Sequence, residues 1–270
     1  MDWNKTKTIF IIVFSILNVF LYSMYLNRYT DAQNLQVMGK MSIEETLKLD
    51  HITYDELPPY KNDPSYMSAK FVTFTDEQIN SLENQMVSIV NGTRLQSKLN
   101  NPVNVLNVKG DFDFTEILSK YVLNGSEYAL WEINKEKQQA LFFQKVNGSP
   151  IYFSRNAMLT LYWNEDGEVT HYEQSMFGEF DSFNRKKDLL SPLEAIGMLS
   201  SRGHLKQGSN VKHMSLGYST LVQVTETQVF APTWHVRVEL KDGTIENHFI
   251  NAIEGMIIEF QLEPLEDDDE

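Results

Sequence analysis

The stretch that decides the architecture of this chain is TIFIIVFSILNVFLYSMYL, residues 8–26. Its 19 residues carry no charge and are mostly Ile, Phe, Leu, Val and Tyr. At a rise of about 1.5 Å per residue, a helix of this length just crosses a hydrocarbon core of about 30 Å. The sequence therefore predicts a transmembrane signal-anchor helix over residues 8–26.

Lys5 and Lys7 come just before this stretch and predict its orientation, because positive residues stay on the cytoplasmic side. Residues 1–7 are then a cytoplasmic stub, and the rest of the chain lies outside the cell as the domain of a single-pass plasma-membrane protein. A cleaved signal peptide is the alternative. Its apolar core is usually only about 7–15 residues long and precedes small residues, whereas this run ends in the bulky Met24-Tyr25-Leu26. An uncleaved anchor is favoured.

Four polar or aromatic residues share one face of the predicted span. Ser15, Asn18, Tyr22 and Tyr25 are spaced by three, four and three positions, which aligns them on a helix. An amide near mid-membrane is costly unless it finds a hydrogen-bond partner. Two interpretations stay open. Asn18 and Ser15 form local hydrogen bonds or are simply tolerated in a single span, or the four residues form a contact face for the transmembrane helices of another protein.

Composition limits the partners of the external domain. The chain has a formal net charge of −14, which disfavours nucleic acid and anionic polymers as ligands because they would be repelled. The closing residues 263–270 are mostly Asp and Glu and predict a disordered acidic tail. The chain has no cysteine and 42% apolar residues, so its external part must rely on a conventional core rather than on disulfides.

The region after the span begins with a juxtamembrane helix and linker, residues 27–65. The capping box Ser42-Ile-Glu-Glu45 starts a short helix. A first α+β subdomain follows over residues 66–185, with a strand at 66–74, a helix capped by Thr75 that continues through Ile89 to Asn91-Gly92, and a helix capped by Asp113 and Glu116. Its remaining predicted strands are 128–134, 139–147, 151–164 (with a break near Arg155) and 168–177.

A second α+β subdomain is predicted over residues 186–262. Ser191-Pro192-Leu-Glu194 is a strong helix start. Strands are predicted at 215–225, 233–240, 244–250 and 256–262. Pairing across Asp242-Gly243 would set Val236 opposite Phe249 and Leu240 opposite Ile245, with a solvent-facing side made of His235, Arg237, Glu239, Glu246 and His248. The predicted fold class is α+β: one transmembrane helix, then two subdomains with antiparallel sheets.

No motif in the sequence predicts catalysis. None of the serines lies in a nucleophile motif, the six histidines form no H-x-x-x-H pair, and no glycine loop predicts phosphate binding. The sequence therefore predicts no catalytic residue, no cofactor and no metal site. A domain with clear fold signals and a membrane tether is most simply a non-enzymatic binding or regulatory module.

The opening MDWNKTKTIFIIVFSILNVFL, with Trp3, Lys5-Thr-Lys7 and Asn18, and the interior PIYFSRNAMLTLYWNEDGEV resemble the YycI family. These are single-span partners of the essential WalK/YycG-type sensor histidine kinase, which controls the cell wall in low-GC Gram-positive bacteria. The resemblance implies a heterodimer with a companion protein, YycH. It also implies contacts between transmembrane helices of this chain and the kinase, and a pair of extracytoplasmic α+β subdomains.

A weaker resemblance concerns the second subdomain, residues 191–262. Pro232-Thr-Trp-His-Val-Arg-Val, Asp242-Gly243 and Ile250-Asn-Ala-Ile-Glu-Gly255 are similar to the PepSY pattern, with Asn251 where an Asp is typical. This resemblance implies an alternative function, that of an envelope chaperone or a protease-inhibiting or binding module.

Overall fold

A computed structural model describes residues 3–37, 41–59, 65–183, 188–223 and 227–260 of the chain. The chain divides into two compact units, Met1–Asp50 and His51–Glu270. The predicted acidic tail, 263–270, lies outside the described residues.

The described part of the first unit contains the helices α1 (Trp3–Val37) and α2 (Ile43–Leu49). The helix expected over residues 8–26 forms and extends well beyond both predicted ends. The capping box of α2 is confirmed, since Ser42 Oγ accepts from the N–H of Glu45 and the Glu45 carboxylate accepts from the N–H of Ser42. Among the residues that the structure describes, no helix combines the length and hydropathy needed to cross a membrane.

The second unit is rich in strands. The helices in its described residues are α3 (Asp76–Asn80), α4 (Thr115–Lys120) and α5 (Pro192–Ser201), with single 3-10 turns at Gly125–Glu127 and Arg155–Ala157. Its first seven strands are β1 (Thr53–Tyr54), β2 (Met67–Phe71), β3 (Gln85–Val90), β4 (Arg94–Asn104), β5 (Tyr128–Asn134), β6 (Gln139–Val146) and β7 (Ser149–Tyr152). The other seven are β8 (Met158–Trp163), β9 (Glu168–Gln174), β10 (Phe177–Ser182), β11 (Asn210–Gln223), β12 (Thr227–Glu239), β13 (Ile245–Asn251) and β14 (Ile257–Ile258).

The described strands join in the order β10-β2-β12-β11-β7-β6-β8-β9-β4-β3. Strand β13 pairs with β12 and β14, β5 with β6, and β1 with β11. Most pairs are antiparallel, and β11 pairs parallel with β1 and β7. The α+β class with antiparallel pairing is thus confirmed. Strands β2 and β10, from the predicted first subdomain, share a sheet with β12 of the second, while the predicted boundary at residues 185/186 stays a prediction.

The largest core lies under strands β4, β6, β8 and β9. Buried Leu95, Phe142, Leu161 and Tyr172 from these strands pack there, together with Ile117 of α4. Burying side chains of this size contributes roughly 1.5–3 kcal/mol each. A second core joins Met67 of β2, Phe177 of β10 and Phe230 of β12.

The prediction of a helix from Thr75 to Ile89 is correct for the first turn and wrong for the rest. Thr75 forms its capping box with Gln78 as predicted, but α3 ends at Asn80 and β3 begins at Gln85. Asn84, directly before β3, has a left-handed φ of 60°, which a continuing helix would not allow. Half of the residues of β3 are β-branched, and the strand forms a hairpin with β4 around Asn91-Gly92. Strand β4 was not predicted.

The register predicted for the β12–β13 hairpin is also wrong, by one residue. His235 lies opposite Phe249 and Val236 opposite His248, because the loop has three residues: the N–H of Leu240 donates to the carbonyl of Thr244, and Gly243 has φ 83°. A one-residue slip moves side chains to the other face. His235 therefore shares a face with Phe249 rather than with His248, and it is buried.

The predicted cap of α4 differs in detail. Phe114 occupies the N-cap position without a side-chain cap bond. Asp113 instead accepts from the N–H of Thr115 at 3.0 Å, and Glu116 pairs with Lys120 at 2.8 Å. The sequence therefore predicted the start of α4 correctly to within one residue, with Asp113 instead of Phe114 at the N-cap.

Candidate functional site

Helix α1 contains the four residues for which the sequence predicts a contact face. Ser15, Asn18 and Tyr22 are exposed. The side chains of Lys5 and Tyr25 are not among those that the structure describes. Lys7 Nζ lies 5.5 Å from the ring centroid of Trp3. Large apolar side chains are exposed along the helix, including Phe10, Ile11, Ile12, Phe14, Ile16, Val19 and Phe20. The contact role of this face stays a prediction.

In the second unit, an aromatic cluster forms where β5, β6 and β7 meet β12, β13 and β14. We use this name for the rings of Trp131, Phe143, Tyr152, Phe153, His235, Phe249 and Phe260. Its centre is Trp131, whose ring lies 5.1 Å from Phe143 and 4.9 Å from His235. A register shift between Leu130 and Glu132 places Trp131 at a bulge of β5, and such bulges re-aim a side chain.

Phe153 adopts an unusual backbone conformation at the edge of the cluster. Its φ is 48°, which costs a bulky residue free energy unless its surroundings compensate. Its ring packs 5.4 Å from Trp131, 4.9 Å from Phe143 and 4.7 Å from Phe260. The contacts of the ring hold the backbone in this conformation, and the half-buried Trp131, Phe153 and Phe260 form an apolar rim.

His235 connects the rings to a polar network. Its Nε2 donates to Asn247 Oδ1 at 2.8 Å, and its Nδ1 lies 3.5 Å from Ser215 Oγ, which in turn lies 3.1 Å from the Tyr152 hydroxyl. Burial lowers the pKa of His235 to about 4, so its ring is neutral near pH 7. Burial also raises the pKa of Tyr152 to about 12.

This arrangement suits packing and recognition. Neutral His235 and the protonated Tyr152 are both enclosed by apolar rings, so neither is placed to exchange protons with an external substrate. Within the described ranges, no group of three or more His, Asp or Glu side chains is placed to hold a metal ion.

The turn that carries the PepSY-like pattern is built around Asn251. Asn251 Oδ1 accepts from the N–H groups of Ile253 and Glu254, both at 2.9 Å. Gly255 follows with φ 67°. Trp234 is buried, and its Nε1 donates to the carbonyl of Leu190 at 2.9 Å. The two bonds at Asn251 need only an acceptor, which an Asn supplies without burying a charge.

The model of the YycI protein family matches residues 31–253. The chain belongs to the YycI family. The match confirms the family resemblance and covers most of the chain, including the interior segment 150–169, whereas the opening segment 1–21 lies before the matched residues. A search of curated protein sequences found no match.

Two solved structures resemble this YycI-family fold at low sequence identity. An uncharacterized protein from Eubacterium rectale ATCC 33656 has 11% identity and a TM-score of 0.44, covering 78% of this chain and 92% of that one. YycH from Bacillus subtilis has 14% identity and a TM-score of 0.36, covering 72% of this chain and 51% of that one. Scores this low carry no conclusion on function.

Sequence reasoning missed the aromatic cluster of this YycI-family protein. Its rings come from segments far apart in the chain, and the bulge at Trp131 has no local signature. The segment Pro150-Ile-Tyr-Phe153 does concentrate two of the rings, and it lies within the interior stretch that carried the family resemblance. The other rings of the aromatic cluster join these two only through strand pairing in the folded protein.

Proposed function

We propose that this protein is a non-enzymatic, membrane-anchored regulator of the essential sensor histidine kinase of a cell-wall two-component system. The single observation that carries the proposal is the YycI family match over residues 31–253, since YycI is a regulatory family. The absence of any catalytic motif in the sequence is consistent with this role.

The proposed anchor is residues 8–26, with the N-terminus in the cytoplasm and the larger unit outside. Support comes from the uncharged sequence of this stretch, from its position inside the continuous helix α1, and from the exposure of its apolar side chains. Exposed apolar side chains around a helix are costly in water and favourable in lipid.

Regulation is proposed to act through the face of Ser15, Asn18, Tyr22 and Tyr25, which docks on transmembrane helices of the kinase. The Asn18 amide would find there the hydrogen-bond partner that hydrocarbon cannot give. A bound helix shifts the kinase between its two states only by the difference in its affinity for them. Outside the membrane, a YycH-like protein is the proposed heterodimer partner.

The test is a gentle-detergent pull-down of the intact protein from its own membranes. A matched version carries an unrelated apolar span in place of residues 8–26. We expect the kinase and the YycH-like partner with the native span, and loss of the kinase with the replaced span. If both versions recover envelope proteases or secreted clients and neither recovers the kinase, the PepSY-like alternative replaces this proposal.

A further inference from the structure

Strand β3 is an open edge of the sheet. Among the described strands it pairs only with β4, from Gln85 opposite Leu99 to Val90 opposite Arg94, without a register shift. Its sequence, QMVSIV, has neither a charge nor a proline. A regular, uncharged edge presents a row of backbone donors and acceptors that favours pairing with another strand.

The other edge strands that the structure describes are guarded. Strand β10 shifts register between Gly178 and Asp181 and carries acidic residues, and β5 is bulged next to Glu132. Strands β1 and β14 have only two residues each. Bulges, charges and short length are the usual protections of an edge against pairing, and β3 has none of them.

The side chains of β3 are incompletely covered. Met86 is 62% exposed and Ser88 is also exposed, while Val87 and Ile89 are only half-buried although they contact the main core. A strand added at this edge would remove further apolar surface from water on both faces of the sheet, which favours association.

We propose that β3 pairs antiparallel with β3 of a second copy of this chain, about a two-fold axis at Ser88. This register sets Ser88 opposite Ser88 of the other copy, Val87 opposite Ile89, and Met86 opposite Val90. From Met86 to Val90 every opposed pair is then apolar with apolar or hydroxyl with hydroxyl, and such cross-strand pairs stabilise a sheet. The segment is self-complementary, as a two-fold interface requires.

Charge also favours this place for self-association. Two chains of net charge −14 repel each other over most of their surfaces, whereas β3 is neutral. The charged residues nearest to the strand in sequence are Glu83 before it and Arg94 after it. Antiparallel pairing brings the beginning of one strand beside the end of the other, so opposite charges approach at both ends.

The test is sedimentation velocity of the intact chain in mild detergent, with its variants. We expect a dimer for the native chain and at least about a tenfold weaker dimer for Ser88→Lys, because like charges would face each other. Ser182→Lys puts the same charge on exposed β10 and should leave the dimer intact. Equal melting temperatures would show that both variants fold. Mixing Ser88→Lys with Ser88→Glu should restore a dimer.

A cysteine experiment fixes the register, since the native chain has none. Ser88→Cys should give a disulfide-linked dimer under mild oxidation, because opposed Cβ atoms lie about 4.5–5.5 Å apart, whereas Ser182→Cys should not. A native chain that stays monomeric, or a dimer that Ser88→Lys leaves unchanged, overturns the proposal. The proposed kinase regulation does not depend on either result.

Discussion

Gln144 of β6 hydrogen-bonds both backbone groups of Phe177 at the start of β10. Its Nε2 donates to the Phe177 carbonyl and its Oε1 accepts from the Phe177 N–H, each at 2.8 Å. Gln144 is fully buried. One side chain therefore supplies the pair of bonds that a neighbouring strand would otherwise supply, and it ties β10 to a strand that is distant in the sheet order.

Replacing this glutamine should be costly. We expect Gln144→Leu to lower the free energy of unfolding by about 2–4 kcal/mol, since it leaves two buried backbone groups without partners. Urea unfolding followed by circular dichroism measures this. Gln139→Leu, at the half-buried start of the same strand, is the matched control and should change stability by less than about 1 kcal/mol. Equal losses in both variants would mean that the Phe177 bonds contribute little.

The buried His235 should make stability depend on pH. Its pKa of about 4 in the folded protein lies below the ordinary 6.5, so the unfolded chain binds more protons between these values and stability falls as the pH drops through them. We expect this one group to remove about 2 kcal/mol between pH 7 and pH 5.

The His235→Gln variant isolates this contribution, because glutamine keeps a polar group without titrating. Unfolding free energies at pH 7 and pH 5 should differ less for this variant than for the native chain. His51→Asn removes an exposed histidine and should retain the native difference. An unchanged pH dependence in His235→Gln would contradict the buried neutral ring.

The backbone of Phe153 allows a test of strain. At φ 48°, glycine is the residue that fits without a steric penalty. We expect Phe153→Gly to be more stable than Phe153→Ala by about 1 kcal/mol, although both lose the ring. At Phe143, on regular strand β6, the order should reverse. Thermal unfolding of the four variants measures their stabilities. If the glycine and alanine variants had the same order of stability at both sites, the backbone of Phe153 would not be strained.

Two glycines should respond differently to an added methyl group. A Cβ built on Gly125 would overlap the backbone carbonyl of Leu118, whereas one on Gly148 meets no atom within 4 Å. Gly125→Ala should therefore cost about 3 kcal/mol or more. Gly148→Ala should cost about 1 kcal/mol, for its left-handed φ of 82° alone. Chemical denaturation compares them, and similar costs would refute the close approach of Leu118.

Asn18 provides the functional test of the α1 face. If it bonds to kinase helices, Asn18→Leu should reduce co-purification of the kinase by roughly three- to twentyfold, since such bonds contribute about 0.6–1.7 kcal/mol. Val19→Leu, one position round the helix, is the matched control and should have no effect. Undiminished recovery with Asn18→Leu, together with unchanged kinase output, would remove this residue from the interface.

Local signals predicted local structure well. The capping boxes at Ser42, Thr75 and Ser191 all form, because each depends on residues only three positions apart. The extent of a helix was less predictable: Ile79, Leu82, Met86 and Ile89 have helical spacing, yet the last two belong to β3. There the pairing with β4 outweighs a periodicity that short apolar patterns satisfy by chance.

The candidate site was less predictable than the fold. The register of β12 and β13 depends on the bond pattern of the turn at Gly243, and an error of one residue set Phe249 opposite Val236 instead of opposite His235, its partner in the aromatic cluster. Trp131 of β5 and Phe260, which follows β14, reach the same cluster from segments that no local pattern relates. Contacts of this kind are set by tertiary packing, which a sequence pattern does not encode.

Strand β2 pairs with β12 through Met67 and Phe230, and this has a consequence for biosynthesis. Ribosomes add about 5–20 residues per second, so the beginning of this unit must wait about 10 s or longer for the strand that completes it. Until then the apolar residues of β2 cannot be buried against β12. Nascent chains should accordingly stay sensitive to proteases until nearly the whole polypeptide has emerged, and truncation near the C-terminus should disrupt strands at the opposite end.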